Sequence, residues 1–234
     1  MPYAVVTGAT QGMGKAIAEK LLENGFSVAI CARSQDNLDA LAAEWKGRFP
    51  QSTVVTVKAD LTKKEEVQAF AGKALAAFHT IDVLVNNAGT YAPGTIADEP
   101  EGALEKMLAL NLYCAYHLTR KIVPVMKAKQ TGHIFNICSI ASLAGNATSG
   151  AYGISKYALM GFSDNLREEL KQFLVKVTAI FPGSTLTASW DGSGVDPARI
   201  LAATDIANTL WGAYALSPQA NVEHIVMRPV KGDL

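Results

Sequence analysis

The 234-residue chain balances 21 Lys+Arg against 21 Asp+Glu, with 49% hydrophobic and 18% charged residues. That balance excludes a basic nucleic-acid-binding stripe and a long acidic disordered tail, and it suits a globular α/β protein with a substantial core. No apolar run approaches the ~18 residues of a membrane span, and the start lacks the basic region and cleavage site of a secretory signal. Cys31, Cys114 and Cys138 lie in apolar segments without metal-ligand spacing and read as small core residues in a reducing compartment. The expectation is one cytoplasmic domain over 1–234 that binds neither nucleic acid, membrane nor metal.

Short β-branched runs at 3–7, 27–31, 53–58, 83–86, 132–138, 176–181 and 222–228 predict strands, nearly all apolar on both faces. Between them, 14–24, 37–47, 63–78, 104–129, 152–173 and 204–216 show helical periodicity, and Pro124 should kink or end the fourth of these. Uninterrupted strand–helix alternation predicts a doubly wound, Rossmann-like parallel sheet of about seven strands, with right-handed crossovers and helices on both faces. Only the Gly-, Ser- and Thr-rich stretch near 184–200 lacks a period, and a loop of that length in a compact domain predicts a lid or substrate loop.

The first strand runs into Thr7-Gly8-Ala9-Thr10-Gln11-Gly12-Met13-Gly14 and then a helix. Such a turn lets backbone amides and a helix N-terminus approach a pyrophosphate, so Gly8, Gln11, Gly12, Met13 and Gly14 are candidate dinucleotide contacts. The second strand ends in Ala32-Arg33-Ser34, where an acidic residue would hold a ribose hydroxyl. A guanidinium there suits a 2′-phosphate, so Arg33 and Ser34 predict NADP(H) in preference to NAD(H). Asp36 lies past the strand and reads as a turn or capping residue. After the third strand, Asp60-Leu61 could meet the adenine, although Asp60 could equally cap the following helix. Asn86-Asn87-Ala88-Gly89 closes the fourth strand with small residues against which a cofactor can pack.

Farther on, Tyr152 and Lys156 stand four residues apart and share one helix face. A fixed cation beside a phenol favours the phenolate and suits the group to proton donation. Taken alone, the pair also reads as a solvated helix face.

Together the glycine turn, Asn86-Asn-Ala-Gly89, Asn111, Ser139, Tyr152-Gly-Ile-Ser-Lys156 and Pro182-Gly183 resemble the short-chain dehydrogenase/reductase family, in its order and spacing from residue 3 to about 187. The resemblance implies Tyr152 as general acid/base and Ser139 as holder of the substrate oxygen. It implies Lys156 on the nicotinamide ribose and beside the phenol, and Asn111 as anchor of a relay water. It also implies cofactor contacts from Tyr152, Pro182, Gly183, the Thr185 backbone and the Thr187 hydroxyl, and a homodimer or homotetramer built on the helices at 104–129 and 152–173. A purely structural hydrogen bond is the alternative for Asn111. Ser142 should line the pocket, Ser155 should pack within its helix, and Trp190 is an apolar wall or a surface anchor. The segment 222–229 departs from the 3-oxoacyl reductases of fatty-acid synthesis, which argues against an acyl-carrier-protein substrate. The predicted activity is reversible hydride transfer between nicotinamide and a carbonyl or secondary alcohol. The competing class is a nucleotide-binding scaffold of the same fold that catalyses nothing.

Overall fold

The computed structural model describes residues 1–187, 190 and 192–234. Seven strands form one parallel sheet in the order β3-β2-β1-β4-β5-β6-β7. They are β1 (Tyr3–Thr7), β2 (Ser27–Ala32), β3 (Val54–Lys58), β4 (Val83–Asn86), β5 (Gly132–Ile137), β6 (Val175–Pro182) and β7 (His224–Met227). The helices are α1 (Gly12–Glu23), α2 (Gln35–Arg48), α3 (Lys64–Phe78), α4 (Ala103–Leu108), α5 (Cys114–Lys129), α6 (Gly150–Leu170) and α7 (Ala203–Tyr214).

Successive strand side chains point to opposite faces, so each strand feeds two cores. On one face Val6, Ile30, Val85 and Phe135 pack with Ile17 and Leu21 of α1, Trp45 of α2 and Leu210 of α7. On the other, Val5, Ala29, Leu84 and Ile134 pack with Phe70 of α3, Leu118 and Ile122 of α5 and Leu170 of α6. This double burial explains why the strands read as apolar throughout. Because β1 lies between β2 and β4, the chain reverses its direction of travel across the sheet there. The carboxyl ends of β1 and β4 therefore flank the point in such a sheet where ligands bind.

The fourth predicted helix and the last strand are the most instructive comparisons with the sequence expectation. Of the two outcomes expected at Pro124, a kink or an end, the helix does not end: α5 runs to Lys129, the predicted limit, because Pro124 and Arg120 both face solvent, where water can take the carbonyl that loses its donor. The irregularity lies upstream, where Ala109–Tyr113 forms a π turn between α4 and α5. The last strand is shorter than 222–228, since Val222 turns its carbonyl to the Thr178 hydroxyl (2.5 Å) instead of continuing the ladder.

All three thiols lie in the core. Burial pushes Cys114 up to about 12, and Cys138 up to about 11 against the pull of the Lys156 ammonium. Burial raises Cys31 as well, with a contribution from Cys114. These sulfurs stay protonated and unreactive at neutral pH.

Candidate active site

The glycine turn between β1 and α1 is held open by backbone conformation and by close packing. Gly8 and Gly12 have φ of +65° and +55°, the left-handed region that side chains avoid. Gly14 has no room for a methyl: a Cβ there would lie 2.7 Å from the Gly8 carbonyl carbon and nearer still to its oxygen. A Cβ on Gly12 would touch the Thr187 methyl at 3.3 Å, so Thr187 stands directly over the turn. Gln11 caps α1 without a side-chain hydrogen bond, and the first turn carries no acid. This leaves the amides of the first turn and the positive end of the helix dipole for an anion. Met13 packs its side chain toward the α1 core.

The end of β4 is tied into this turn. The Thr7 hydroxyl accepts from the amides of Asn87 and Ala88 (3.0 Å each) and donates to the Val85 carbonyl (3.3 Å). Asn87 Nδ2 donates to the carbonyls of Thr7 (2.9 Å) and Gly8 (3.1 Å), while its buried Oδ1 has no partner among the described residues. A bare cradle of amides beside an unpaired buried acceptor fits a dinucleotide with its pyrophosphate over the turn.

Arg33 is exposed just past β2 and, among the described residues, makes no ion pair. Ser34, not Asp36, caps α2 by accepting from Asn37 N (3.3 Å), and Asp36 follows in the first turn. Asp60 lies past β3, where its Oδ1 accepts from the hydroxyl (2.7 Å) and amide (3.0 Å) of Thr62. Those bonds hold its carboxyl below the ordinary range, with smaller help from the charges of Lys63 and Arg33. One Asp60 oxygen is therefore spent on the turn before α3, and the other remains for a ligand. Leu61 is buried in the core, which leaves only its backbone for contact.

The other half of the site gathers at the ends of β5 and β6. Ser139 follows β5 and opens a 3-10 turn, Ile140–Ser142. Its Oγ accepts from Ala141 N (3.1 Å), and among the described residues nothing accepts its proton, so the hydroxyl keeps a donor to offer. Ser142 does not line a pocket as expected: it is fully buried beneath this turn. The Lys156 ammonium, itself buried, donates to the Ile137 carbonyl (2.9 Å), two residues before Ser139. It lies 5.9 Å from the Tyr152 ring centroid, and a Cβ on Gly89 would come within 3.4 Å of it. One cation thus joins the strand end carrying Ser139, the helix turn carrying Tyr152 and the floor at Gly89.

Asn111 occupies the middle of the π turn and is almost wholly buried. Its Oδ1 accepts from Thr90 N (2.8 Å), and its Nδ2 donates to Thr90 O (3.0 Å) and Ser155 Oγ (2.9 Å). Ser155, buried in α6, passes its own proton to the Tyr152 carbonyl (2.7 Å). The Asn111 amide is committed at both ends to holding the β4 exit against α6.

Pro182, the buried last residue of β6, leads to Gly183, whose amide donates to Met227 O (2.7 Å). The Thr185 hydroxyl donates to Gly183 O (2.9 Å), and its backbone bridges to Leu201. Of the expected substrate loop near 184–200, positions 188, 189 and 191 lie outside the described residues. Trp190 is partly buried, with its amide on Thr187 O (3.0 Å).

A family profile described as short chain dehydrogenase matches residues 2–196. The chain belongs to the short chain dehydrogenase family. An uncharacterized oxidoreductase of Staphylococcus aureus is 33% identical over 227 residues, covering 97% of this chain and 96% of the other. Among solved structures, the L-sorbose reductase of Gluconobacter frateurii, complexed with NADPH and L-sorbose, superposes with a TM-score of 0.89 at 28% identity. That match covers 97% of this chain and 94% of the reductase. A metagenomic short-chain oxidoreductase in complex with NADP gives 0.83 at 33% identity, with 98% and 97% covered.

Within this short chain dehydrogenase, two groups beside Tyr152 escaped the sequence reading. The Tyr91 ring meets the Tyr152 ring edge-on at 4.9 Å, while half of Tyr91 faces solvent. The Glu99 carboxylate reaches the first turn of α6. The only sequence signal for Glu99 is negative: the start of α6 contains no acid of its own.

Proposed function

We propose that this short chain dehydrogenase is an NADP(H)-dependent oxidoreductase acting reversibly on a carbonyl or secondary alcohol, with Tyr152 as general acid/base. The observation that carries the reading is the placement of Lys156 between the Ile137 carbonyl and the Tyr152 ring, with Ser139 two residues along. Bound NADPH supplies a hydride. The chain's own residues handle the oxygen and its proton. The Ser139 hydroxyl, which accepts from Ala141 N–H, donates its proton to a hydrogen bond with the substrate oxygen. Tyr152 delivers a proton to that oxygen during reduction and removes it during oxidation. Lys156 holds positive charge beside the phenol and reaches the ribose side of the site past Gly89. Asn111, fixed in the π turn by its bonds to Thr90 and Ser155, is the residue assigned to anchor a relay water. A water held there continues the proton path.

Preference for NADP(H) rests on Arg33, an exposed cation past β2 that makes no ion pair among the described residues, where a carboxylate would favour the free ribose. The two solved relatives named above were captured with NADP or NADPH, which supports the same choice. Arg33→Asp should change the ratio of kcat/KM for NADPH over NADH by roughly a hundredfold, equivalent to about 3 kcal/mol for a charged hydrogen-bonded contact. An unchanged ratio would sink the 2′-phosphate assignment.

The π turn before α5 exposes Tyr113, and α5 and α6 expose Tyr116 and Tyr157. This aromatic surface supports the expected homodimer or homotetramer. Sedimentation at micromolar concentration should give a mass at least twice that of the chain, and a monomer would refute the assembly.

A further inference from the structure

The catalytic helix starts without a cap of its own. Ser149, at its N-cap, makes no side-chain cap hydrogen bond, and its first turn contains no acidic residue. Four amides at a helix start need partners. Here two of them, on Gly150 and Ala151, find their partners in a distant segment, the stretch between β4 and α4. Gly94 bridges to Ser149, accepting from Gly150 N (2.9 Å) and donating to Thr148 O (3.0 Å). A turn closed by Glu99 N on Thr95 O (3.0 Å) then folds the Glu99 carboxylate back over the helix end. Both of its oxygens accept from Ala151 N, at 2.9 and 3.0 Å. Two glycines make the room. A Cβ on Gly150 would lie 2.7 Å from Glu99 Oε1, and one on Gly94 would lie 3.1 Å from Glu99 Cδ. Neither glycine has the positive φ that would otherwise demand it, so clearance for Glu99 is what the missing side chains provide.

We propose that Glu99 is a positioning residue for the proton donor, a carboxylate supplied from the β4–α4 segment that fixes the first turn of α6 and with it Tyr152. Ala151 immediately precedes Tyr152, so the amide that Glu99 holds sets where the tyrosine's backbone begins. The same segment grips the site at two further points: Thr90 is bonded through both backbone groups to Asn111, and the Tyr91 ring packs on the Tyr152 ring. Carboxylate charge at a helix N-terminus is also favourable to the helix dipole. Losing this latch lets the first turn fray, and a displaced proton donor costs rate before it costs cofactor binding.

The inference rests on Tyr152 as the acid/base, and the experiment separates the two claims. Steady-state kinetics with NADPH and a carbonyl that the wild-type enzyme reduces are compared for Glu99→Ala, Glu99→Gln, Gly150→Ala, the Glu99→Ala/Gly150→Ala pair and Tyr152→Phe, well below each melting temperature. Glu99→Ala should lower kcat roughly ten- to a hundredfold while the NADPH Kd stays within about twofold. Glu99→Gln, which keeps an oxygen to accept Ala151 N–H, should recover most of kcat. Gly150→Ala, whose methyl displaces the carboxylate, should lower kcat alone and add little in the Glu99→Ala background. A folded Glu99→Ala with wild-type kcat would overturn the proposal, as would a Glu99→Gln as impaired as Glu99→Ala. Should Glu99→Ala fail to fold, a wild-type kcat in Gly150→Ala overturns it instead. Full activity in Tyr152→Phe would refute the acid/base reading and leave the Glu99 contacts to be judged on their own variants.

Discussion

Tyr152→Phe is expected to lower kcat by about 10²–10⁴-fold, the range general acid–base groups contribute, or roughly 3–5 kcal/mol of barrier. The substitution removes one oxygen and leaves the ring. The edge-on contact with Tyr91 at 4.9 Å needs only that ring, so packing at the start of α6 should survive. The Tyr152 main-chain carbonyl still accepts from Ser155, which keeps the link through Ser155 to Asn111 intact. NADPH affinity, read by fluorescence titration, should therefore stay close to wild type. A variant that binds NADPH and retains turnover would remove Tyr152 from the chemistry.

Gly14→Ala should strike at the other end of the site, in stability and cofactor affinity together. The added methyl would press into the Gly8 carbonyl and the Asn87 amide, and neither can swing away. Gly8 is backbone in a left-handed turn, and Asn87 Nδ2 already bridges Thr7 O and Gly8 O. Overpacking of this kind costs about 1–3 kcal/mol, which in a chain of this size lowers Tm by roughly 3–10 °C. Because the displaced turn is the proposed cradle for the pyrophosphate, NADPH affinity should fall about tenfold or more. Gly72→Ala is the control. It lies within α3 with nothing near its Cβ, so alanine's helix propensity should raise Tm. Equal Tm and equal NADPH affinity for Gly14→Ala and the wild type would mean that the close approach of α1 to β1 is not needed.

Much of this architecture was legible in local pattern. Strands buried on both faces, helices between them and a glycine turn after β1 are short-range signals, and the ordered arrival of Ser139, Tyr152 and Lys156 identifies the family. What escaped depends on contacts between residues far apart in the chain. Glu99 and Ala151 are 52 positions apart, and nothing about an isolated acidic residue in a polar stretch says which helix it will cap. Pro124 leaves a kink and an end both open in the sequence, because proline's local penalty does not say whether its helix face meets water. Asn111 was picked out as a polar residue in an apolar helix. Its side chain proved to be bonded to Thr90 and Ser155, and the π turn around it gives no periodicity signal in so short a stretch. Ser142 illustrates the reverse error. A serine three residues past Ser139 looks available, but the 3-10 turn folds it beneath the strand end.

The central claim is that this chain moves a hydride between a nicotinamide and a carbonyl carbon while Tyr152 handles the proton. NADPH carrying deuterium at both C4 positions, incubated with the enzyme and a panel of ketones, diketones and keto sugars, tests it by mass spectrometry of the products. The expected result is one deuterium at the carbinol carbon of at least one alcohol product, formed by the wild type and nearly absent with Tyr152→Phe. A folded, NADPH-binding enzyme that transfers no deuterium to any of them, or a Tyr152→Phe variant that transfers it at the wild-type rate, would contradict the claim.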